Sequence, residues 1–169
     1  KNIKRQNIIL NEVENLKNLG FDKIILSGYS AGGWSSLVLQ SRYPEKIIGT
    51  IAFNPAFAGP KREWQKKYPE WGAFREDSVN KFNKANTINA IIFAHKDDIF
   101  EDPKTLSFFE NFKNLSLIDY SELKPTKCNW ADVNEKMTAD KGHNIPQSKC
   151  FTKYLEIKNY LISFLENIL

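Results

Sequence analysis

A chain of 169 residues is enough for one domain, and its 41% apolar and 13% aromatic residues supply a packed core. Its charged residues, 26% of the total, are mixed in sign, and the net charge of +4 comes from dispersed lysines. That pattern excludes a disordered, solvating chain and offers no clustered basic stripe for nucleic acid. No apolar run approaches the roughly 18 residues that cross a bilayer, and the first twenty residues do not follow the charged, apolar and small-residue order of a secretory signal.

Along the chain, "KNIKRQNIILNEVENLKNLG" places Ile3, Ile9, Val13, Leu16 and Leu19 near helical spacing, with Gly20 positioned to end the run. Apolar runs at Lys23–Leu26, Ile47–Phe53, Ala90–Ala94 and Leu115–Tyr120 then read as four strands. Helices are predicted between and after them at Gly33–Ser41, Ser78–Lys84, Pro103–Asn114 and Thr152–Asn167. This alternation is the mark of an α/β fold with a mostly parallel sheet. The nearly continuous apolar character of the first three runs predicts helices on both faces. Two stretches break the rhythm. Gly59–Arg75 holds Trp64, Trp71 and two prolines and reads as an insertion over one sheet edge, and Lys124–Lys149 is a long polar segment of the length that functional or disordered loops reach.

The stretch "LSGYSAGGW" carries the strongest chemical signal. Gly28, Ser30 and Gly32 form G-x-S-x-G between a predicted strand and a predicted helix, the context of a nucleophile elbow. A serine on so sharp a turn needs neighbours without bulk, and Gly28, Gly32 and Gly33 meet that need. The helix start beyond it directs free N–H groups, that of Ala31 first, toward an oxyanion. A serine hydroxyl also needs a base, and the chain has two histidines. His143, in "DKGHNIP" beyond the last predicted strand, is the candidate base; His95 reads as a strand-end residue with a structural role. The acid is expected in "FAHKDDIFEDP", where Asp97 is the choice and Asp98 the alternative, while Glu101 and Asp102 are expected to cap the helix from Pro103. These acidic residues match no calcium-loop spacing, and no metal or cofactor motif is present in the sequence.

At these residues the chain resembles the α/β-hydrolase superfamily, and within it the dienelactone-hydrolase-related proteins. The resemblance lies in "GYSAGGW", "IIGTIAFNPAFAG", "AHKDDIF" and the late "GH", and extends over most of Lys23–Leu169. That subgroup often uses cysteine as nucleophile, where this chain has Ser30. The resemblance implies a serine hydrolase that cleaves a carboxylic ester, thioester or small peptide bond, with no cofactor. Ser30 would attack, His143 act as base, Asp97 orient it, and the Ala31 N–H support the oxyanion. Tyr29, Trp64, Trp71 and Trp130 are the candidates to line the substrate pocket, with Trp64, Trp71 and Trp130 equally suited to anchoring their loops. Trp34, next to the elbow, reads as core.

The family sheet has further strands before its elbow strand. The 169 residues are therefore expected to be the C-terminal part of a single hydrolase domain, with an upstream fragment or second chain completing the sheet beside "KIIL". Two other functions use the same residues or none of them: acyl transfer to an alcohol, and a catalytically inactive binding module. A Cys128–Cys150 disulfide would point to a secreted or periplasmic protein, and free thiols to a cytoplasmic one.

Overall fold

Parallel pairing follows from the four apolar runs, since each is separated from the next by enough chain for a crossover helix. The computed structural model describes residues 2–123 and 142–169. Its sheet has the order β1-β2-β3-β4, with β1 (Ile25–Tyr29), β2 (Gly49–Phe53), β3 (Ala90–Ala94) and β4 (Leu115–Asp119) all parallel. Tyr29 pairs with Phe53, Phe53 with Phe93, and Ala94 with Asp119, so the four strands end almost level. The residues that follow each strand are thereby gathered along one edge.

The helices cover both faces. α1 (Asn2–Asn18) packs Val13 with Ile24, Leu39 and Ile47. α2 (Ala31–Arg42) and α4 (Pro69–Phe82), with the 3-10 turn Ser107–Asn111, cover one face of the sheet. There Trp34, Leu37, Phe82 and Phe109 cluster with Ala52, Ala90, Ile92 and Ala94. On the other face Ile91 and Phe93 meet Tyr120, Ile145, Phe151 of α6 (Lys149–Lys153) and Ile157 of α7 (Leu155–Ile168). Successive β3 side chains thus enter opposite cores, and β3 is buried along its whole length. Each such large apolar side chain contributes about 1.5–3 kcal/mol on burial. Trp34 is core, as expected, 2% exposed with its Nε1–H donating to Ser78 Oγ at 3.0 Å.

Several elements differ from the sequence expectation. β1 runs from Ile25 to Tyr29 where the sequence predicts Lys23–Leu26, and the stretch read as one helix, Pro103–Asn114, is an α-helix only over Pro103–Leu106, followed by the 3-10 turn. The segment Gly59–Arg75 is largely helical: it forms α3 (Lys61–Lys66) and the first half of α4, which packs beside α2. Pro69 opens α4, a position proline suits. Trp71, Ser78 and Phe82 share its helical stripe with Arg75, and that charge makes the stripe read as broken. Arg75 is instead partly buried and paired with the buried Glu101, with Nε to Oε1 at 2.6 Å and Nη2 to Oε2 at 2.8 Å. Glu101 therefore does not cap α5 (Pro103–Leu106), whereas Asp102 does, accepting from the Thr105 N–H at 2.8 Å. Finally, the last helical stretch begins at Lys149, earlier than predicted, and is broken at Tyr154.

Candidate active site

Ser30 joins β1 to α2 with φ 55° and ψ −127°, in the left-handed half of backbone space that side chains disfavour. The turn is held from both sides. The Ser30 N–H donates to Phe53 O at 3.0 Å, and the Ser30 carbonyl accepts from Trp34 N and Ala56 N, each at 3.1 Å. A Cβ on Gly28 would lie 2.5 Å from the Gly32 carbonyl carbon, and one on Gly33 2.9 Å from Gly28 O. These two glycines let strand and helix touch. Gly32 faces open space among the described residues, so packing does not demand it. Ala31 opens α2, and its N–H is one of the first-turn groups that have no acceptor within a helix.

His143 reaches the serine. Its Nε2 lies 3.0 Å from Ser30 Oγ, and its Nδ1 lies 2.8 Å from Asp98 Oδ2. A carboxylate accepts, so Nδ1 carries the hydrogen and Nε2 is left to accept from the hydroxyl. His143 and Asp98 are 4% and 5% exposed, and Asp98 Oδ1 accepts from Phe100 N at 2.8 Å. The expectation of Asp97 is corrected by one position. Its side chain is 53% exposed, with Oδ2 3.9 Å from His95 Nδ1. The cause is the turn after β3, closed by the Asp98 N–H donating to His95 O at 3.0 Å, which directs Asp98 inward and Asp97 outward.

His95 has the structural place expected of it. It is 3% exposed, and its Nδ1 accepts from the Asp97 N–H at 3.1 Å. Burial lowers its pKa below the ordinary 6.5, against smaller opposing effects of Asp97, Asp119 and Asp98. Its neutral ring thus braces the acid turn. Gly142, with φ +80°, presses on the same turn: a Cβ there would lie 2.7 Å from Asp97 C and Asp98 N.

Of the residues expected to form the pocket, Tyr29 is at the site. Its ring centroid is 5.0 Å from that of His143, and its hydroxyl donates to Asn144 Oδ1 at 2.6 Å. Trp64 packs beside Arg75, whose guanidinium is 5.7 Å from the ring, and Trp71 stacks on Tyr68 at 4.3 Å. Trp71 also lines a cleft of about 760 Å³ with Phe57, Phe74 and Val38, but Ser30, Asp98 and His143 do not line it. Both tryptophans thus have partners within the insertion itself, Arg75 for Trp64 and Tyr68 for Trp71. Trp130 and Cys128 lie outside the described residues, among which no cysteine is free.

Sequence reasoning missed Phe100, Asn54 and Tyr120. The Phe100 ring is 4.2 Å from that of His143. Asn54 and Tyr120 directly follow β2 and β4, and Asn54 Nδ2 donates toward Tyr120 Oη at 3.0 Å and to the carbonyls of Gly142 and His143, each at 2.8 Å. An asparagine before proline at the end of a strand is a turn signal, and it is the one local clue to Asn54. Among the described residues no three His, Cys, Asp or Glu side chains group as metal ligands, and no helix is long and apolar enough to cross a membrane.

No family model and no curated protein matches the sequence. Solved structures match its fold. A monoacylglycerol lipase of Paleococcus ferrophilus superposes with a TM-score of 0.51 at 16% identity, over 70% of this chain and 65% of the lipase. A Bacillus subtilis protein designated a hydrolase superposes with a TM-score of 0.55 at 13% identity, over 95% of this chain and 67% of that one. The chain thus spans about two thirds of the length of each. At such identities the likeness establishes a shared fold, and it does not single out the dienelactone-hydrolase-related subgroup.

Proposed function

We infer that this chain, which has the α/β-hydrolase fold, is a serine hydrolase acting on a small ester-like substrate through an acyl-enzyme on Ser30. One observation carries the reading. An unbroken relay runs from Ser30 Oγ to His143 Nε2 at 3.0 Å and from His143 Nδ1 to Asp98 Oδ2 at 2.8 Å, beginning on a strained turn. A binding module has no use for strain at a serine that is also aimed at a buried imidazole.

In this mechanism His143 Nε2 takes the Ser30 proton while Oγ attacks the substrate carbonyl carbon. The resulting oxyanion is supported by the Ala31 N–H at the positive end of α2. Asp98, accepting from Nδ1–H, fixes the productive tautomer and stabilises the imidazolium. The imidazolium then protonates the leaving group as the tetrahedral intermediate collapses to the acyl-enzyme. Water, deprotonated by His143, attacks that ester and frees the acid. The rings of Tyr29 and Phe100 flank the imidazole and shield it from bulk water.

Labelling with a fluorophosphonate followed by peptide mass mapping tests the assignment. A single adduct on Ser30 is expected. Absence of an adduct in protein shown by circular dichroism to be folded would overturn it.

A further inference from the structure

The base must be held against the serine by something other than the sheet. His143 sits in a turn, Gly142–Asn144, outside the four strands, and that turn is closed on its C-terminal side by two local backbone bonds, Ile145 N to Gly142 O and Gln147 N to Asn144 O. The contacts that tie it to the sheet edge come from side chains, and Asn54 supplies two of them.

Asn54 is the first residue after β2, beside Ser30 across the ladder because Tyr29 pairs with Phe53. Ser30 and Asn54 are the two non-glycine residues with positive φ among those described, at 55° and 41°. Backbone strain therefore falls on two adjacent residues at one sheet edge, as it does where geometry is functionally constrained. Asn54 is fully buried. Its two amide hydrogens are shared among three acceptors: Gly142 O, His143 O and Tyr120 Oη. Tyr120 Oη in turn lies 3.2 Å from Gly142 O and donates to it. The carbonyls on both sides of the His143 Cα are thus clamped from β2, while Tyr29 holds Asn144 from β1.

We propose that Asn54 is the positioning residue for the base: its side-chain amide, backed by Tyr120, sets the His143 backbone so that one ring spans Ser30 and Asp98. The inference rests on the serine-hydrolase reading for its catalytic consequence, though the geometry stands apart from it. Asn54 acts through His143 and has no part in the proton relay. The demand is for a donor at this position. Its own Oδ1 is buried without a hydrogen-bond partner among the described residues, so the NH2 end alone carries the function. An aspartate of the same shape would set a carboxylate against two carbonyl oxygens.

Asn54→Gly is the informative variant, because glycine adopts a positive φ without cost and the fold is expected to persist. Asn54→Asp keeps the shape and removes the donor, and Tyr120→Phe removes only the backing hydroxyl. Two readouts are taken on the full chain: the rate of fluorophosphonate labelling at Ser30, and the far-downfield proton NMR resonance of His143 Nδ1–H. Labelling of folded Asn54→Gly and Asn54→Asp is expected to slow about 100-fold, the scale of an ångström-sized misplacement, and the resonance to broaden or vanish. Tyr120→Phe should fall between native and Asn54→Gly. Folded Asn54→Gly that labels within about threefold of native and keeps the resonance would overturn the positioning role and leave the hydrolase reading intact. Native protein that shows the resonance but does not label, with the resonance lost in Asn54→Gly, would instead overturn the hydrolase reading and support the positioning role. If either Asn54 variant fails to fold, Tyr120→Phe decides by the same two readouts.

Discussion

Asp98 Oδ2 lies 2.8 Å from His143 Nδ1, a contact that joins the turn after β3 to a residue 45 positions further along the chain. Asp97, one residue earlier, presents its carboxylate to solvent. Asp98→Asn is therefore expected to lower turnover by about 10³–10⁴-fold, because an amide in that place no longer holds the needed imidazole tautomer. Asp97→Asn should leave turnover within about twofold, because its side chain is 53% exposed and the His143 Nδ1 is already paired with Asp98. Steady-state kinetics on the two variants, with any ester that the native protein hydrolyses, will check the ranking. Equal losses would remove the distinction.

Ser30→Ala keeps a Cβ at the strained position and removes only the hydroxyl. Labelling and turnover should vanish while Tm stays within about 4 °C of native, the shift that about 1 kcal/mol produces. Residual turnover at the native rate, measured in the same assay, would remove Ser30 from the mechanism.

The two glycines that flank Ser30 in the motif should respond oppositely. A methyl on Gly28 meets backbone 2.5–2.7 Å away, and backbone has no rotamer to move aside. Gly28→Ala is expected to cost about 3 kcal/mol or fail to fold, at the upper end of overpacking penalties. Gly32→Ala meets nothing within 4 Å and replaces a poor helix former, so it should be neutral or stabilising by up to about 1 kcal/mol. Urea unfolding of each variant will show the sign.

Arg75 and Glu101 make a two-pronged pair with side chains 12% and 2% exposed, and Arg75 Nη2 also donates to Thr105 O at 2.7 Å. Burial raises the Glu101 pKa, and the Arg75 contact opposes that rise. Arg75→Met leaves a buried carboxylate without its cation and should cost about 3–5 kcal/mol, whereas Arg75→Met with Glu101→Leu should recover much of the loss. Additive losses in urea melts would mean that the two side chains are not energetically coupled.

His95 makes the fold sensitive to acid. Burial lowers its pKa in the folded protein below the ordinary 6.5, so below that pH the unfolded chain binds a proton that the folded chain does not. Stability is therefore lost as pH falls from 6.5 toward the lowered folded value, and the His95 contribution is fully present above 6.5. His95→Asn retains an acceptor near the Nδ1 position and removes the titration. Its unfolding free energy should fall less steeply between pH 7 and pH 5 than that of the native protein, and identical slopes would exclude His95 as the cause.

The parts legible in the sequence are those encoded by neighbours in the chain. Apolar runs such as "AIIFA" are strands because both faces of a central parallel strand are buried, and β3 spans the run as read. The elbow is visible because a tight strand-to-helix turn demands small residues within a few positions of Ser30. His143 stands out by elimination, as one of two histidines and the one beyond the last strand. What the tertiary structure alone decided depends on a hydrogen bond or a contact between distant segments. A single turn bond, Asp98 N to His95 O, chooses between adjacent aspartates that are chemically identical. Arg75 hides the start of α4 because its charge looks solvent-facing until Glu101, 26 residues later, neutralises it. Asn54 gains its place only when Gly142 and His143, 88 and 89 residues away, bring their carbonyls to its amide. Periodicity and turn chemistry report on local backbone, whereas the partner of a buried polar group is set by which strand ends the sheet brings level.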